Sequence, residues 1–148
     1  MRMSRLLPTV LLFGIATACN TGRHSSAGFR LPADGNVERG NAVFLELECH
    51  SCHEVSGKDL PRPTMQPPVP VRLGGEVTKE LTDGYLVTSI IYPSYALAHY
   101  SKDLITVGGK SRMPDYADRV TARQLTDLVS FLQSRYTVRR PMREYAYY

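Results

Sequence analysis

Apolar residues recur at helical spacing in three segments of this chain, and each segment predicts a helix. The first covers about residues 37–47. The second covers about residues 83–91, where Thr82 or Asp83 can cap the first turn and Pro93 ends the helix. The expected core positions of these two helices are Val43, Phe44, Leu47, Leu86, Ile90 and Ile91.

The third helix has the clearest signal. Thr121 and Gln124 are spaced as a capping box, in which each side chain accepts a hydrogen bond from the other residue's backbone N–H. Helical spacing then continues through Tyr136. The apolar residues at that spacing are Leu125, Leu128, Val129 and Leu132. Because no segment shows the alternation that predicts strands, the sequence favours a small all-α fold.

Two long stretches between the predicted helices are expected to be loops. Residues 61–70 contain five prolines, a density that no regular helix or central strand accommodates. Residues 92–110 are also loop-like and close at Gly108-Gly109. A long loop in a compact domain is usually functional, so we expect the proline-rich loop to wrap around something.

The first 18 residues have the features of an export signal. Arg2 and Arg5 form a basic start, and the apolar run from Leu6 to Ala18 is too short to span a bilayer. The small residues at 16–18 supply a cleavage site. We therefore expect residues 1–18 to be removed when the protein is exported to the periplasmic side of a bacterial membrane.

Cys19 directly follows this signal. The stretch resembles a bacterial lipobox, where the cysteine receives diacylglycerol and becomes the new N-terminus, although Ala16 stands where Leu is usual. An unpaired cysteine would be awkward in an oxidising compartment, which also favours acylation. Residues 19–36 would then be a lipid anchor and a flexible tether, and Asn20 suggests, by resemblance, release to the outer membrane. The alternative is cleavage after Ala18, a free thiol and a soluble periplasmic protein.

The segment Cys49-His50-Ser51-Cys52-His53 carries the chemistry. On a helix, residues three apart lie on one side, so both thiols can reach one edge of a porphyrin and add across its two vinyl groups. His53 would then lie under the iron as the proximal ligand. In an exported chain this motif predicts one covalent haem c, with His50 as a surface side chain and not a ligand.

Three other readings of this motif are weaker. A structural zinc site needs four ligands, and no second Cys or His pair lies near Cys49, Cys52 and His53. A thioredoxin-like dithiol needs a βαβ setting, which the sequence lacks. A disulfide between the two cysteines would leave His53 unexplained.

The chain from about residue 37 to residue 136 resembles the class I cytochromes c. The resemblance rests on Gly40 and Phe44 in the first helix, the attachment motif at residues 49–53, Met113-Pro114 in the loop before the last helix, and Phe131 in that helix. It implies a small cytochrome c-like fold of three to four helices wrapped around one haem. It also implies that Met113 is the second axial ligand of the iron, opposite His53.

Several site assignments stay open in the sequence. His99 and Met65 are rival sixth ligands, and an open sixth site is another possibility. The family's proline carbonyl that accepts from the proximal histidine has Pro70 as its nearest match, without the usual glycine. The haem propionates have no tryptophan partner, because the chain contains none, which leaves Tyr100, Arg72 or Arg112.

Net charge adds little to this picture. Without Arg2 and Arg5, 16 basic side chains remain against 14 acidic ones, and two haem propionates would cancel that difference. Nothing therefore favours nucleic acid as a partner. Asp115, Asp118 and Asp127 are expected to be solvated charges, and no constellation suggests an enzyme.

The sequence thus predicts an electron-transfer protein with redox proteins as partners. The first hypothesis is a one-electron carrier of a periplasmic or membrane-side respiratory chain. The second is a haem c subunit of a larger membrane oxidoreductase, and the third is a haem-based sensor with a labile sixth ligand. Residues 37–136 would form the haem domain, and residues 137–148 an exposed, basic, Tyr-rich tail.

Overall fold

The computed structural model describes residues 29–61, 68, 69, 71–95 and 97–139. Its helices are α1 (Val37–Glu46), α2 (Asp83–Ile91), α3 (Lys102–Ile105) and α4 (Ala122–Gln133), with a 3₁₀ turn at Cys49–Ser51. Its strands are β1 (His53–Val55), β2 (Val71–Leu73), β3 (Gly75–Val77), β4 (Thr106–Val107), β5 (Lys110–Ser111) and β6 (Tyr136–Val138).

The three predicted helices are confirmed, together with the signals that start them. The Thr82 side chain accepts from the Tyr85 backbone N–H at the start of α2. Thr121 and Gln124 form both bonds of the capping box at the start of α4. The Asn36 side chain caps α1 by accepting from the Arg39 N–H, a cap that the sequence analysis did not identify. Local capping chemistry therefore determines where these helices begin.

The core forms where α1 crosses α4. A Cβ atom on Gly40 would lie 2.0 Å from the carbonyl oxygen of Asp127, so the two backbones touch at this point. One turn further along, the rings of Phe44 and Phe131 pack with their centroids 5.6 Å apart. Leu128 and Val129 are almost completely buried beside them. Gly40, Phe44 and Phe131 are the residues of the first and last helices on which the resemblance to class I cytochromes c rested.

Short strands accompany the helices, so the all-α prediction is only partly supported. β1 pairs with β2 and β3 pairs with β6, both in parallel, and β4 pairs with β5 in an antiparallel hairpin. None of these strands exceeds three residues. Such short segments show no alternating pattern in the sequence, which is why they were missed. The hairpin closes through Gly108 and Gly109, both at positive φ, as a two-residue turn of this kind requires.

The last helix is shorter than its apolar pattern indicated. α4 ends at Gln133, and Tyr136 belongs to β6, where it pairs with Gly75. The strand carries the chain into the predicted tail, and the Arg139 N–H donates to the Val77 carbonyl. The first residues of the tail are thus paired with the domain, although the Arg139 side chain itself is exposed, as predicted. Residues 140–148 lie outside the described part of the chain.

The end of the predicted tether lies against the domain. Leu31 packs on the core cluster, Asp34 forms an ion pair of 2.9 Å with Arg123, and Gly35 lies close to the Ser130 side chain. The domain therefore makes contacts from about residue 31, before the predicted boundary at residue 37. The export signal, Cys19 and the first part of the tether are outside the described residues. Within the described residues, no helix is long and apolar enough to cross a bilayer.

Asp127 is not the solvated charge that the sequence suggested. Its carboxylate is buried, accepts from the Asn36 backbone N–H at 2.7 Å, and forms two bonds of 2.7 and 2.9 Å with the Arg39 guanidinium. The bonds with Arg39 hold the pKa of this carboxyl below its usual value, against the opposing effect of burial. Asp115 and Asp118 remain exposed, as predicted.

Candidate haem site

The attachment segment begins where α1 ends. Leu47 is the C-cap of α1, and Glu48 adopts a left-handed conformation with φ of 55°, which turns the chain sharply. The 3₁₀ turn follows, and the Cys52 N–H donates to the Cys49 carbonyl at 3.2 Å. The two cysteines therefore stand at the start and at the C-cap of one 3₁₀ turn, three residues apart. Both thiols are free, so no disulfide joins them.

Cys49 lies in an environment that favours the protonated thiol. Its side chain packs against the core, and burial raises the pKa of the Cys49 thiol to about 11. Redox-active dithiols depend on a lowered cysteine pKa, which makes the thiolate available near neutral pH. The environment of Cys49 has the opposite effect, so the structure argues against a thioredoxin-like dithiol.

His53 is oriented by the strand that follows the attachment turn. It opens β1, pairs in register with Val71 of β2, and its ring Nδ1 lies 3.1 Å from the Val71 carbonyl oxygen. Burial lowers the pKa of His53, which favours the neutral ring. In the tautomer that donates from Nδ1 to this carbonyl, Nε2 carries a free lone pair that can bind a metal.

Val71 is a functional residue that the sequence analysis missed. The nearest match in the sequence was Pro70, one residue earlier in the chain, an assignment that was left open and that lies outside the described residues. The bond from His53 goes to a main-chain carbonyl, so no side chain at position 71 signals it. The parallel pairing of β1 with β2 decides which carbonyl faces the ring.

These residues fit a haem better than a metal ion held by side chains alone. Across the described ranges, no three His, Cys, Asp or Glu side chains converge as a metal site would require, and Cys49, Cys52 and His53 are no exception. The two cysteines begin and cap one 3₁₀ turn, and the histidine has one nitrogen held by the Val71 carbonyl and the other available. This is the donor set of a covalent haem with one protein-supplied axial nitrogen.

Met113 follows β5 in the loop before α4. Its backbone N–H donates to the Ser111 hydroxyl at 3.1 Å, and its side chain is partly buried against the core. The rival ligand His99 is exposed, and the other rival, Met65, lies outside the described residues. Among the described candidates, Met113 alone is packed into the protein.

His50 differs from the prediction in one respect. It was expected to be a surface side chain, but it is partly buried, and no described group forms a hydrogen bond with its enclosed Nδ1 atom.

The three candidate propionate partners, Tyr100, Arg72 and Arg112, are all exposed. The Arg72 guanidinium forms an ion pair of 3.2 Å with the Glu54 carboxylate, and the Arg112 guanidinium donates to the Asp103 carbonyl at 3.4 Å.

Tyr116 is a second residue that the sequence analysis missed. Its ring is buried and its hydroxyl donates to the Leu47 carbonyl at 3.2 Å, while the Arg119 guanidinium lies 4.9 Å from the ring centroid. Burial is the main cause that raises the pKa of Tyr116. Tyr116 lies in the loop between Met113-Pro114 and α4. Its partner is a backbone carbonyl 69 residues earlier in the chain, so no local sequence pattern indicates the contact.

Residues 37–135 match the family described as cytochrome c, and this segment covers α1, the attachment turn, Met113 and α4. The chain belongs to the cytochrome c family. No match was found among curated proteins or among solved structures.

Membership in this family makes the protein a haem-based electron-transfer protein, and it implies a covalently bound haem c. When bound, haem c supplies an iron atom that gains and loses one electron. The family match begins at the first residue of α1 and ends two residues after α4. The two helices that cross at Gly40 are therefore the first and last helices of the matched segment.

Proposed function

We propose that this cytochrome is a one-electron carrier with His53 and Met113 as its two axial ligands and with thioether links at Cys49 and Cys52. The observation that carries the proposal is the 3.1 Å contact between His53 Nδ1 and the Val71 carbonyl. It orients the ring, selects the tautomer with a free Nε2, and makes the ring more basic toward a metal. The nitrogen left free to bind iron then belongs to the residue directly after two free cysteines.

The attachment turn supports the covalent part of the proposal. Cys49 opens the single 3₁₀ turn and Cys52 caps its end, three residues on, with His53 directly after it. Attachment at both thiols would hold the cofactor against β1, where the histidine is anchored. This accounts for two thiols that are partly buried and not linked to each other.

Met113 supports the carrier role over a catalytic or sensing one. With nitrogen and thioether both bound, no axial position is open to a substrate or a gas. Thioether ligation also favours the reduced state and raises the potential. The partial burial of Met113 and the exposure of His99 favour this pair of ligands over a bis-histidine site.

The working place that we propose is the periplasmic side of a bacterial membrane, with Cys19 as the lipid-bearing residue and a respiratory redox protein as the partner. The basic start, the short apolar run and the Ala18-Cys19 junction support it. Because Leu31 already packs on the domain, only the residues from 20 to 30 separate anchor and domain. Such a segment spans at most about 40 Å when fully extended. The carrier would therefore serve partners at the same membrane surface.

The Met113→Ala variant tests the axial assignment in the purified holoprotein. The oxidised wild type should show the weak far-red absorption band of sulfur–iron ligation, and the variant should lose it. The variant should also bind carbon monoxide or imidazole, and its midpoint potential should fall by roughly a hundred millivolts or more.

The matched control is His99→Ala, which removes an exposed side chain and should leave the band, the ligand binding and the potential unchanged. If His99→Ala produces the changes expected of Met113→Ala, the axial assignment is wrong. If the wild type binds carbon monoxide readily at neutral pH, its sixth position is open or labile, and a sensing role replaces that of a carrier.

A further inference from the structure

A single tyrosine connects the two halves of the proposed haem site. The Tyr116 hydroxyl donates to the Leu47 carbonyl at 3.2 Å, between residues 69 positions apart in the chain. Leu47 lies two residues before Cys49, and Tyr116 lies three residues after Met113. The bond therefore joins the loop of the sixth ligand to the start of the attachment turn.

The Leu47 carbonyl stands at the C-terminal end of α1 and accepts the Tyr116 hydrogen bond there. The last carbonyls of a helix have no donor within the helix and need a partner from elsewhere. Directly after Leu47, Glu48 turns the chain through a left-handed conformation into the 3₁₀ turn. A donor at Leu47 thus fixes the point at which α1 passes into the haem attachment segment.

Tyr116 is held firmly enough to act as this donor. Its own carbonyl accepts from the Arg119 and Val120 N–H groups at 3.0 and 3.2 Å, which anchors its backbone to the turn before α4. The ring is only 6% exposed and has the Arg119 guanidinium 4.9 Å from its centroid. Burial, the Arg119 contact and the bond to Leu47 together hold the hydroxyl at the end of α1.

The same residue limits the freedom of Met113. The loop is held on one side by the bond from the Met113 N–H to the Ser111 hydroxyl, and on the other side by Tyr116. Between these two bonds lie only Pro114 and Asp115, and proline restricts the backbone further. If the Tyr116 hydroxyl is removed, one of the two restraints on this short segment is lost.

We propose that Tyr116 is a positioning residue, whose hydroxyl holds the Met113 loop against the attachment turn and so keeps the methionine on the iron. The inference rests on the proposed ligation of the iron by His53 and Met113, and it adds the hydrogen bond that keeps Met113 in place. Loss of the bond leaves the fold intact but makes the methionine easier to displace.

The test is an imidazole titration of the oxidised holoprotein, followed by absorbance, in the wild type and in Tyr116→Phe. Phenylalanine keeps the buried ring and removes only the hydroxyl. A neutral hydrogen bond contributes about 1 kcal/mol, so we expect imidazole to bind about fivefold more tightly to Tyr116→Phe. The far-red sulfur band should be lost at correspondingly lower imidazole concentration.

Thr126→Val is the matched control for general destabilisation. The Thr126 hydroxyl is buried and donates to the Ala122 carbonyl at 2.8 Å within α4, away from the Met113 loop. Both variants lose one buried hydroxyl bond to a backbone carbonyl, and both should unfold more easily. Only Tyr116→Phe should bind imidazole more tightly.

The inference is overturned if Tyr116→Phe binds imidazole within twofold of the wild type, or if Thr126→Val tightens binding equally. Met113→Ala separates this result from a failure of the proposed function. If Met113→Ala gains imidazole binding while Tyr116→Phe does not, the ligation stands and the role of Tyr116 falls. If Met113→Ala binds imidazole no better than the wild type, the methionine is not the ligand and both proposals fall.

Discussion

The backbones of Gly40 and Asp127 are in direct contact, since a Cβ atom on Gly40 would lie 2.0 Å from the Asp127 carbonyl oxygen. The side chain of the same aspartate binds the Asn36 N–H and the Arg39 guanidinium at the start of α1. One residue of α4 therefore makes a close backbone contact with α1 and also anchors the start of that helix. The crossing of α1 and α4 depends on both features.

Gly40→Ala should destabilise the protein, although alanine is the better helix former. The intrinsic gain of up to about 1 kcal/mol is outweighed because the two helices must move apart to admit a methyl group. We expect a net loss of about 1–3 kcal/mol in the free energy of unfolding, measured by chemical denaturation of the holoprotein.

Gly84→Ala is the matched control within a helix. Its added Cβ would meet only the Phe29 Cβ, at 3.6 Å, which is an ordinary contact. This variant should be as stable as the wild type or more stable by about 0.5–1 kcal/mol. Equal stability of Gly40→Ala and wild type would show that the helices do not touch as described.

Asp127→Asn should lower stability in a pH-dependent way. The pKa of Asp127 is held below its ordinary value in the folded protein, mainly by the bonds to Arg39. The ionised carboxylate therefore stabilises the fold fully above the unfolded pKa of about 3.9, and this contribution is lost as the pH falls through the folded value. We expect a deficit of about 1–3 kcal/mol at pH 7 that shrinks below about pH 4, measured by denaturation at several pH values.

The control for this effect is Asp34→Asn. The Asp34–Arg123 pair is at the surface, with side chains 66% and 54% exposed, so water already solvates both charges. Its loss should therefore change the free energy of unfolding far less than the loss of the buried Asp127 carboxylate. A deficit for Asp127→Asn that stays constant from pH 7 to pH 3 would contradict the role of the ionised carboxylate.

The haem should remain with the polypeptide in acidified organic solvent, because thioether bonds at Cys49 and Cys52 survive denaturation. Either single Cys→Ala variant should give less holoprotein, and the double variant should give none. Release of the haem into the organic phase from the wild type would refute covalent attachment. Ser51→Ala, within the same turn, is a control that keeps both thiols.

Cys19 should hold the protein on a membrane. A diacylglycerol and an N-acyl chain together anchor firmly, whereas one acyl chain binds only marginally. The wild type should stay with membranes in a high-salt wash, which removes proteins held by charge, and should dissolve in detergent. Cys19→Ser should give a haem-loaded protein that is soluble or retains its leader. A soluble wild type without added lipid mass would rule out the anchor.

Much of the fold follows from signals confined to a few neighbouring residues. The capping box at Thr121, the cap at Thr82 and the apolar spacing of the three helices predicted where those helices lie, because a cap and its helix interact within one turn. The motif from Cys49 to His53 is equally local. It predicts a covalent haem at this place in the chain, and the family match over residues 37–135 implies a covalently bound haem c.

Only the tertiary structure decided the contacts between distant residues. Asp127 becomes a buried anchor because α1 brings Arg39 to it, and Tyr116 becomes a link because the end of α1 presents the Leu47 carbonyl. His53 donates to Val71, and α4 stops at Gln133, because short parallel strands pair residues 18 and 61 positions apart. A strand of three residues has almost no pattern of its own, and a backbone carbonyl is the same in every residue. Local sequence therefore identifies the helices and the haem motif, while the packing of those helices determines which groups orient the ligands.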